Sequence, residues 1–495
     1  MLINLKVFSI QYFKTGIFKR IKMAILKSRT AQIREKRLQA TGAFYGSLLS
    51  LLNEIKSGDL PQRIRTFSQD TANDLLYALK LLNTFKNAAI VIHGPKGCAA
   101  AQTYFNAVND GEIKWAVTNL NERDSIMGSD RKLRDTILNV FKSFEPEIIF
   151  VITTPVVAIN NDDVESVVEE LQEQLNIKII PIYTDAFKSK IGITGYDLAV
   201  HGLLKSLLPE EETDNLQQDF INLISIAESQ DDLTELQRIL SALKIAVNIF
   251  PKYATVGNVI HSKHAKFSIA VNHDEAFYTG DVLQSGFKVP YHAVPIPVGI
   301  SQTEEWINEI SSSIGVEVND FIAKEISSVK DFIENKKSKF FQKKIFISHS
   351  PSYAFALLEI LTELGFQVVG LKVPYIDIHH TEKLAALIEK YGDLHIIVGE
   401  GQLFEEINLL KKNKPDIYLG HTINSLAIAG IGISVVDVQS VSLLGFTGVY
   451  HLVAKLEKVI SNNSFQKFLS QNKPETYLDN WLKKSANWHI KLEVK

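Results

Sequence analysis

Short runs rich in Ile and Val, each followed by a turn and then a helical pattern, recur along this chain. That alternation restricts the architecture more than any other feature. AAIVIH (Ala88–His93), EIIFVITT (Glu147–Thr154) and NIKIIPIYT (Asn176–Thr184) come first. FSIAVN (Phe267–Asn272), KIFISH (Lys344–His349), FQVVGLKV (Phe366–Val373), LHIIVG (Leu394–Gly399) and IYLGHT (Ile417–Thr422) continue the pattern. Runs that are apolar on both faces belong in buried parallel sheets, whose strands need helical crossovers. The expected class is α/β with Rossmann-like parallel sheets, and 495 residues accommodate about three such units.

The predicted organisation is a helical lead (1–66), then α/β domains over 67–209, 210–335 and 336–495. Leu38, Phe44, Leu48, Leu51 and Leu52 recur near helical spacing, which predicts a helix across Ala31–Leu60. The acidic, polar stretch Glu210–Asp232 reads as a linker carrying a helix over Gln217–Glu228. Lys336–Lys344 (KKSKFFQKK) reads as a solvated hinge. Met1–Lys27 mixes apolar residues with Lys and Arg. It fits a basic amphipathic surface helix or an ordinary lead, with Met23 as an alternative start. No run of 18 apolar residues predicts a transmembrane helix, and a cytoplasmic location is expected.

With 53 Lys and Arg against 56 Asp and Glu, the net charge is −3, so no basic excess marks a nucleic-acid binder. The single cysteine excludes an internal disulfide and a one-chain CxxC…CxxC metal site. That cysteine, Cys98, closes HGPKGC at the turn from a buried strand into a predicted helix, Ala99–Val108. Backbone N–H groups and the positive end of a helix dipole stabilise a thiolate there, the form that ligates iron. The bland alternative is a buried, inert thiol, the commoner fate of a lone cysteine. The loop lacks GxxxxGK[ST], and no strand is followed by GxGxxG, so neither a P-loop nor a dinucleotide fingerprint is present.

HGPKGCAA (His93–Ala100) resembles the HGPxGC loop of the nitrogenase component 1 family. NLNERDSIMGSDRKL (Asn119–Leu133) and PEIIFVITTPVVAINNDD (Pro146–Asp163) resemble two further family segments. GYDLA (Gly195–Ala199), NIFPKYA (Asn248–Ala254), PIPVGISQTEEWINEI (Pro295–Ile310), KPDIYLGH (Lys414–His421) and GFTGVYHLVAKL (Gly445–Leu456) follow in family order. The resemblance implies three Rossmann-like domains and pairing with a homologous subunit in an α2β2 heterotetramer. It also implies metal clusters at the subunit boundary and in an interdomain cleft, and electrons from a separate ATP-hydrolysing iron–sulfur reductase. Relatives reduce dinitrogen, tetrapyrrole double bonds or carbon–sulfur bonds; others are scaffolds on which the nitrogenase cofactor is built.

Departures from the family pattern trim that expectation. Of the three boundary cysteines, Cys98 remains; the others fall near Asn73 and at Pro155, which has no ligating atom. A four-iron cubane needs about four ligands. Cys98 as metal ligand therefore implies a Cys-richer partner, with His93, Gly94 and Gly97 shaping the cluster loop. Asp70 and Asp74 are possible oxygen ligands or ordinary helix-start carboxylates. The inner cofactor's Cys falls near Asn272 and its His near Val435, so no nitrogenase-type cofactor is expected on this chain alone. Asn272, His273, Asp274, His292 and His421 sit at predicted strand ends, where α/β folds place ligands, or else cap and face solvent. His261 with His264, and His379 with His380, read as solvated pairs without a zinc pattern. The predicted function is an oxidoreductase subunit sharing an iron–sulfur cluster, with a non-redox scaffold or small-molecule binder as the alternative.

Overall fold

The computed structural model describes residues 25–58, 63–65, 72–100, 114–208, 217–420, 425–472, 477–485, 487–488 and 490–492. Residues 1–24, Asp70 and His421 lie outside the described residues. The N-terminal stretch supplies the helix Arg34–Arg37, strand β1 (Phe44–Ser47) and the helix Leu48–Ser57; strand β2 (Arg63–Arg65) follows. The expected continuous helix is thus interrupted by β1. Ser47 accepts a hydrogen bond from the Ser50 backbone N–H and starts the second helix there.

The first sheet contains β3 (Ala88–His93), β4 (Trp115–Val117), β5 (Ile148–Thr153) and β6 (Lys178–Ile182), in the order β4-β3-β5-β6, all parallel. Every residue of β3 and β5 is buried, because helices cover both faces. Pro181 is tolerated because β6 is an edge strand with one side of its backbone unpaired. β7 (Ile221–Ser225), β8 (Val247–Pro251), β9 (Ser268–Ala270) and β10 (Tyr291–His292) form a second parallel sheet, order β10-β9-β7-β8.

The third sheet holds β11 (Lys344–Ser348), β12 (Gln367–Val373), β13 (His395–Val398), β14 (Ile417–Gly420) and β15 (Ser434–Asp437). Its order is β1-β13-β12-β11-β14-β15, with β1 the one antiparallel member. β16 (Ile490–Leu492) pairs antiparallel with β2.

Two sequence expectations fail locally. Within Gln217–Glu228 the structure has β7, not a helix: the five-residue strand INLIS is wholly buried inside the second sheet. Lys336–Lys344 is no hinge, since the helix Asp320–Phe340 runs through most of it. Lys336 and Lys339 pair with Glu457, while Phe340 is buried and stacks on Phe366.

The helix Thr194–Leu207 is buried along most of its length, between the helices Asp74–Leu82 and His273–Phe287. Gly195 permits the closest crossing: a Cβ there would lie 2.0 Å from the Asp74 carbonyl oxygen. The same helix carries a buried ionic pin. Arg34 donates to both Asp197 carboxylate oxygens (2.8 and 2.9 Å), to the Asp274 carbonyl (2.6 Å) and to Tyr375 Oη (3.0 Å). Beside it, His380 bridges Asp274 Oδ1 (3.1 Å) and Asp377 Oδ1 (2.8 Å). His380 is therefore buried between two carboxylates and not solvated. Burial alone would lower its pKa, but Asp377 and Asp274 raise it well above the usual value. His379 packs against Phe277 and His273. Among the described residues no helix is long and apolar enough to cross a membrane.

Candidate functional site

The carboxyl ends of the strands carry two features. The first is the loop after β3. A helix begins at residue 96, so Cys98 lies in its first turn, and its N–H donates to the Pro95 carbonyl at 3.1 Å. Lys96 and Gly97 are exposed and Cys98 is half-buried. Burial pushes the Cys98 thiol up, against the sequence expectation of a lowered pKa, because loss of water disfavours the thiolate.

His93 lies in the interior and not on this surface. It is buried, with Nδ1 3.1 Å from Thr118 Oγ1 and Nε2 3.1 Å from Ser129 Oγ, and burial lowers its pKa to about 4. Ser129 in turn donates to Asp162. His93 therefore anchors the loop from below. Gly94 is fixed by close approach, since a Cβ there would lie 1.9 Å from Thr154 Oγ1. Gly94→Ala should destabilise the chain by about 1–3 kcal/mol through forced displacement of the loop. Thermal melts of the two proteins test this; a difference under about 0.5 kcal/mol, typical of innocuous surface changes, contradicts it.

Positions aligned with the other two boundary cysteines perform local structural work. Asn73 caps the helix Asp74–Leu82, accepting from the Leu76 N–H at 3.1 Å. Pro155 starts the helix Pro155–Asn160. Asp74 is buried and its carboxylate accepts the N–H groups of Asp185 and Ala186, a cap and not an open ligand. Of the three positions aligned with the family's boundary cysteines, Cys98 is the one that carries a thiol.

The second feature is a cleft of about 390 Å³ between the strand ends of the second and third sheets and the helices Asp74–Leu82 and Thr194–Leu207. Its walls include Tyr77, Tyr196 and Tyr353, three lysines (Lys80, Lys252, Lys372) and four carboxylates (Glu228, Asp232, Glu275, Glu400). Glu228 Oε2 accepts from Ser225 Oγ (2.8 Å) and from the N–H groups of Ile226 and Ala227. Tyr77 donates to Glu400 Oε1 at 2.5 Å, and Lys372 donates to Glu406 at 2.7 Å. Burial and the charges of Glu228 and Asp274 push Glu275 well above the usual carboxylate range, and burial pushes Glu228 up. Lys80 is lowered by burial.

Neither Asn272 nor His273 is among the residues lining this cleft. Asn272 caps the helix His273–Phe287 by accepting from the Asp274 N–H. His273 bonds Tyr291 Oη at 2.7 Å, and its pKa falls to about 4 on burial. His292 is exposed on β10, and Val435 lies within β15. His261 is exposed and stacks on Phe220, with His264 beside it. Among the described residues, no group of three His, Cys, Asp or Glu side chains is arranged to hold a metal ion. The cleft therefore does not fit the thiolate- and imidazole-ligated cofactor of catalytic nitrogenase subunits. Glu275, about one helical turn beyond Asn272, reaches the cleft, and Asn272 does not. A usable signal existed: Glu228, Glu275 and Glu400 each follow an apolar strand within a few residues.

The description "Nitrogenase component 1 type Oxidoreductase" belongs to the family model that matches residues 75–461. A nitrogenase iron-molybdenum cofactor biosynthesis protein NifE of Methanococcus maripaludis is 24% identical over 378 residues, covering 74% of this chain and 78% of that protein. The nitrogenase molybdenum-iron protein alpha chain of Methanosarcina barkeri is 26% identical over 301 residues, covering 58% and 56%. A nitrogenase iron-iron protein beta chain of Rhodobacter capsulatus is 24% identical over 369 residues, covering 68% and 79%. Among solved structures, nitrogenase Cp1 at pH 6.5 superposes with a TM-score of 0.71 at 17% identity, over 83% of this chain and 95% of that one. The ordered motifs, the three mainly parallel sheets and these matches agree: the chain belongs to the nitrogenase component 1 type oxidoreductase family.

Proposed function

We propose that this chain is a cytoplasmic subunit of a component 1-like oxidoreductase, with Cys98 its single ligand to an iron–sulfur cluster shared with a Cys-richer homologous subunit. The observation that carries this reading is the exposed shelf around Cys98. Leu120 donates to the Gly94 carbonyl, and Thr154 donates to the His93 carbonyl, so the segments after β4 and β5 flank the loop. They continue into the helices Glu122–Met127 and Pro155–Asn160, where Ile126 (80%), Met127 (76%) and Ile159 (71%) are strongly exposed. Strongly exposed apolar side chains on the two neighbouring helices that follow the loop's flanking segments fit a protein contact. In this reading the homologous subunit completes the cluster, and an ATP-dependent iron–sulfur reductase delivers electrons to it. Shared thiolate ligation would supply one-electron storage; this chain's part is to hold Cys98 rigidly through His93, Gly94 and Thr154.

A second reading has its own support. The positions aligned with the inner cofactor ligands are a cap and a strand residue, and one relative is named as a cofactor biosynthesis protein. A scaffold or binding subunit without redox turnover fits those facts. The deciding experiment is anaerobic affinity purification of the tagged chain from its own host, with iron quantitation and electron paramagnetic resonance, beside Cys98→Ala. Loss of iron and of the cluster signal in Cys98→Ala supports the redox reading. An unchanged signal, or iron-free wild type with intact partners, overturns it in favour of the scaffold.

A further inference from the structure

We propose that the cleft is a recognition site for a small organic cation bearing N–H donors, an amine or amidinium, held by Glu228 and Glu275. Both side chains line the cleft and are more than nine-tenths buried. Each carries an oxygen with no hydrogen-bond partner, Glu228 Oε1 and Glu275 Oε2. A buried carboxylate oxygen left without a donor has lost its water with nothing in exchange, so two beside one cavity call for donors from outside the chain. Burial raises both carboxyls above their ordinary range, and the charge of Glu228 adds to the rise at Glu275.

The remaining charged groups favour a cation. Lys372 is neutralised by Glu406, which leaves Lys80 and Lys252 facing Glu228, Asp232, Glu275 and Glu400, a formal excess of negative charge. Asp232 is satisfied internally by Ser229, Ser442 and two backbone N–H groups. Lys252 donates to the Ala227 carbonyl at 2.8 Å. His349, also on the wall, stacks on Tyr353 and accepts the Ser350 N–H through Nδ1. The rings of Tyr77 and Tyr196, packed edge to face at 5.1 Å, add aromatic surface of the kind that attracts ammonium groups. An inorganic ion is disfavoured, because no third His, Cys, Asp or Glu among the described residues completes a coordination set with this pair. At about 390 Å³ the cleft suits a ligand of modest size.

The inference is independent of iron at Cys98, and its test keeps the two apart. Isothermal titration of the full-length chain uses three near-isosteric probes: benzamidine (cationic), benzamide (neutral) and benzoate (anionic). Benzamidine is expected to saturate one site at least tenfold more tightly than benzamide, with benzoate weakest. Glu275→Gln and Glu228→Gln should each weaken benzamidine about tenfold and leave benzamide unchanged, while Cys98→Ala binds as wild type. Circular dichroism checks that each variant is folded; if one Gln variant is not, the other and the wild-type probe series decide. Equal affinity for the three probes, preference for benzoate, no saturable benzamidine binding, or folded Gln variants with wild-type affinity would each overturn the proposal.

Discussion

Asp197→Asn should cost about 3–5 kcal/mol of stability, because it keeps the side-chain shape but removes the charge that neutralises a wholly buried guanidinium. Arg34 has no solvent exposure, and Asp197 meets it with both carboxylate oxygens while also receiving Arg37 at 2.5 Å. An amide in that place accepts through one oxygen and turns its own NH2 group toward a cation. The double variant Arg34→Met/Asp197→Leu should lose less than Asp197→Asn, since it removes the wholly buried guanidinium and leaves only the partly exposed Arg37 without its carboxylate. Guanidinium denaturation of the three chains is the measurement. A loss below about 1 kcal/mol for Asp197→Asn, the range of exposed pairs, would sink the argument.

His380→Gln is the second large effect, about 3–5 kcal/mol at pH 6, since it leaves Asp274 and Asp377 buried side by side without their shared cation. The pH dependence has a definite sign. His380 has a folded pKa well above the unfolded value of about 6.5, so its contribution is complete below pH 6.5 and is lost as pH rises through the folded value. Burial would raise Asp274, but His380 and Ser352 hold it far below the ordinary range; Asp377 is lowered by the same histidine. Those carboxylates contribute above about pH 4 and lose that contribution as pH falls through their depressed values. The gap between wild type and His380→Gln should therefore be wider at pH 6 than at pH 9. Denaturation curves at the two pH values check this, and a gap that grows toward pH 9 contradicts it.

How far the sequence reaches is visible in individual elements. Wholly apolar runs such as AAIVIH and IIFVIT announce buried parallel strands, because nothing else accommodates Ile and Val on both faces over so short a length. The HGPKGC loop is equally legible, since glycine, proline and a lone cysteine between a strand and a helix have few uses. INLIS was hidden by its acidic flanks, and the lysines of Lys336–Lys344 masked a helix whose one buried anchor there is Phe340. The cleft was legible only in part: acids after strands mark a ligand face, but Glu228, Glu275 and Glu400 are separated by long stretches of chain.

Local pattern therefore determined the α/β class, the parallel strands and the position of Cys98, because period and turn chemistry act over a few residues. Tertiary structure alone decided that His380 is buried between two carboxylates, that His93 anchors the loop from beneath, and that two carboxylates face a shared cavity. Burial and charge pairing set those properties, and both depend on which distant segments the three sheets bring into contact.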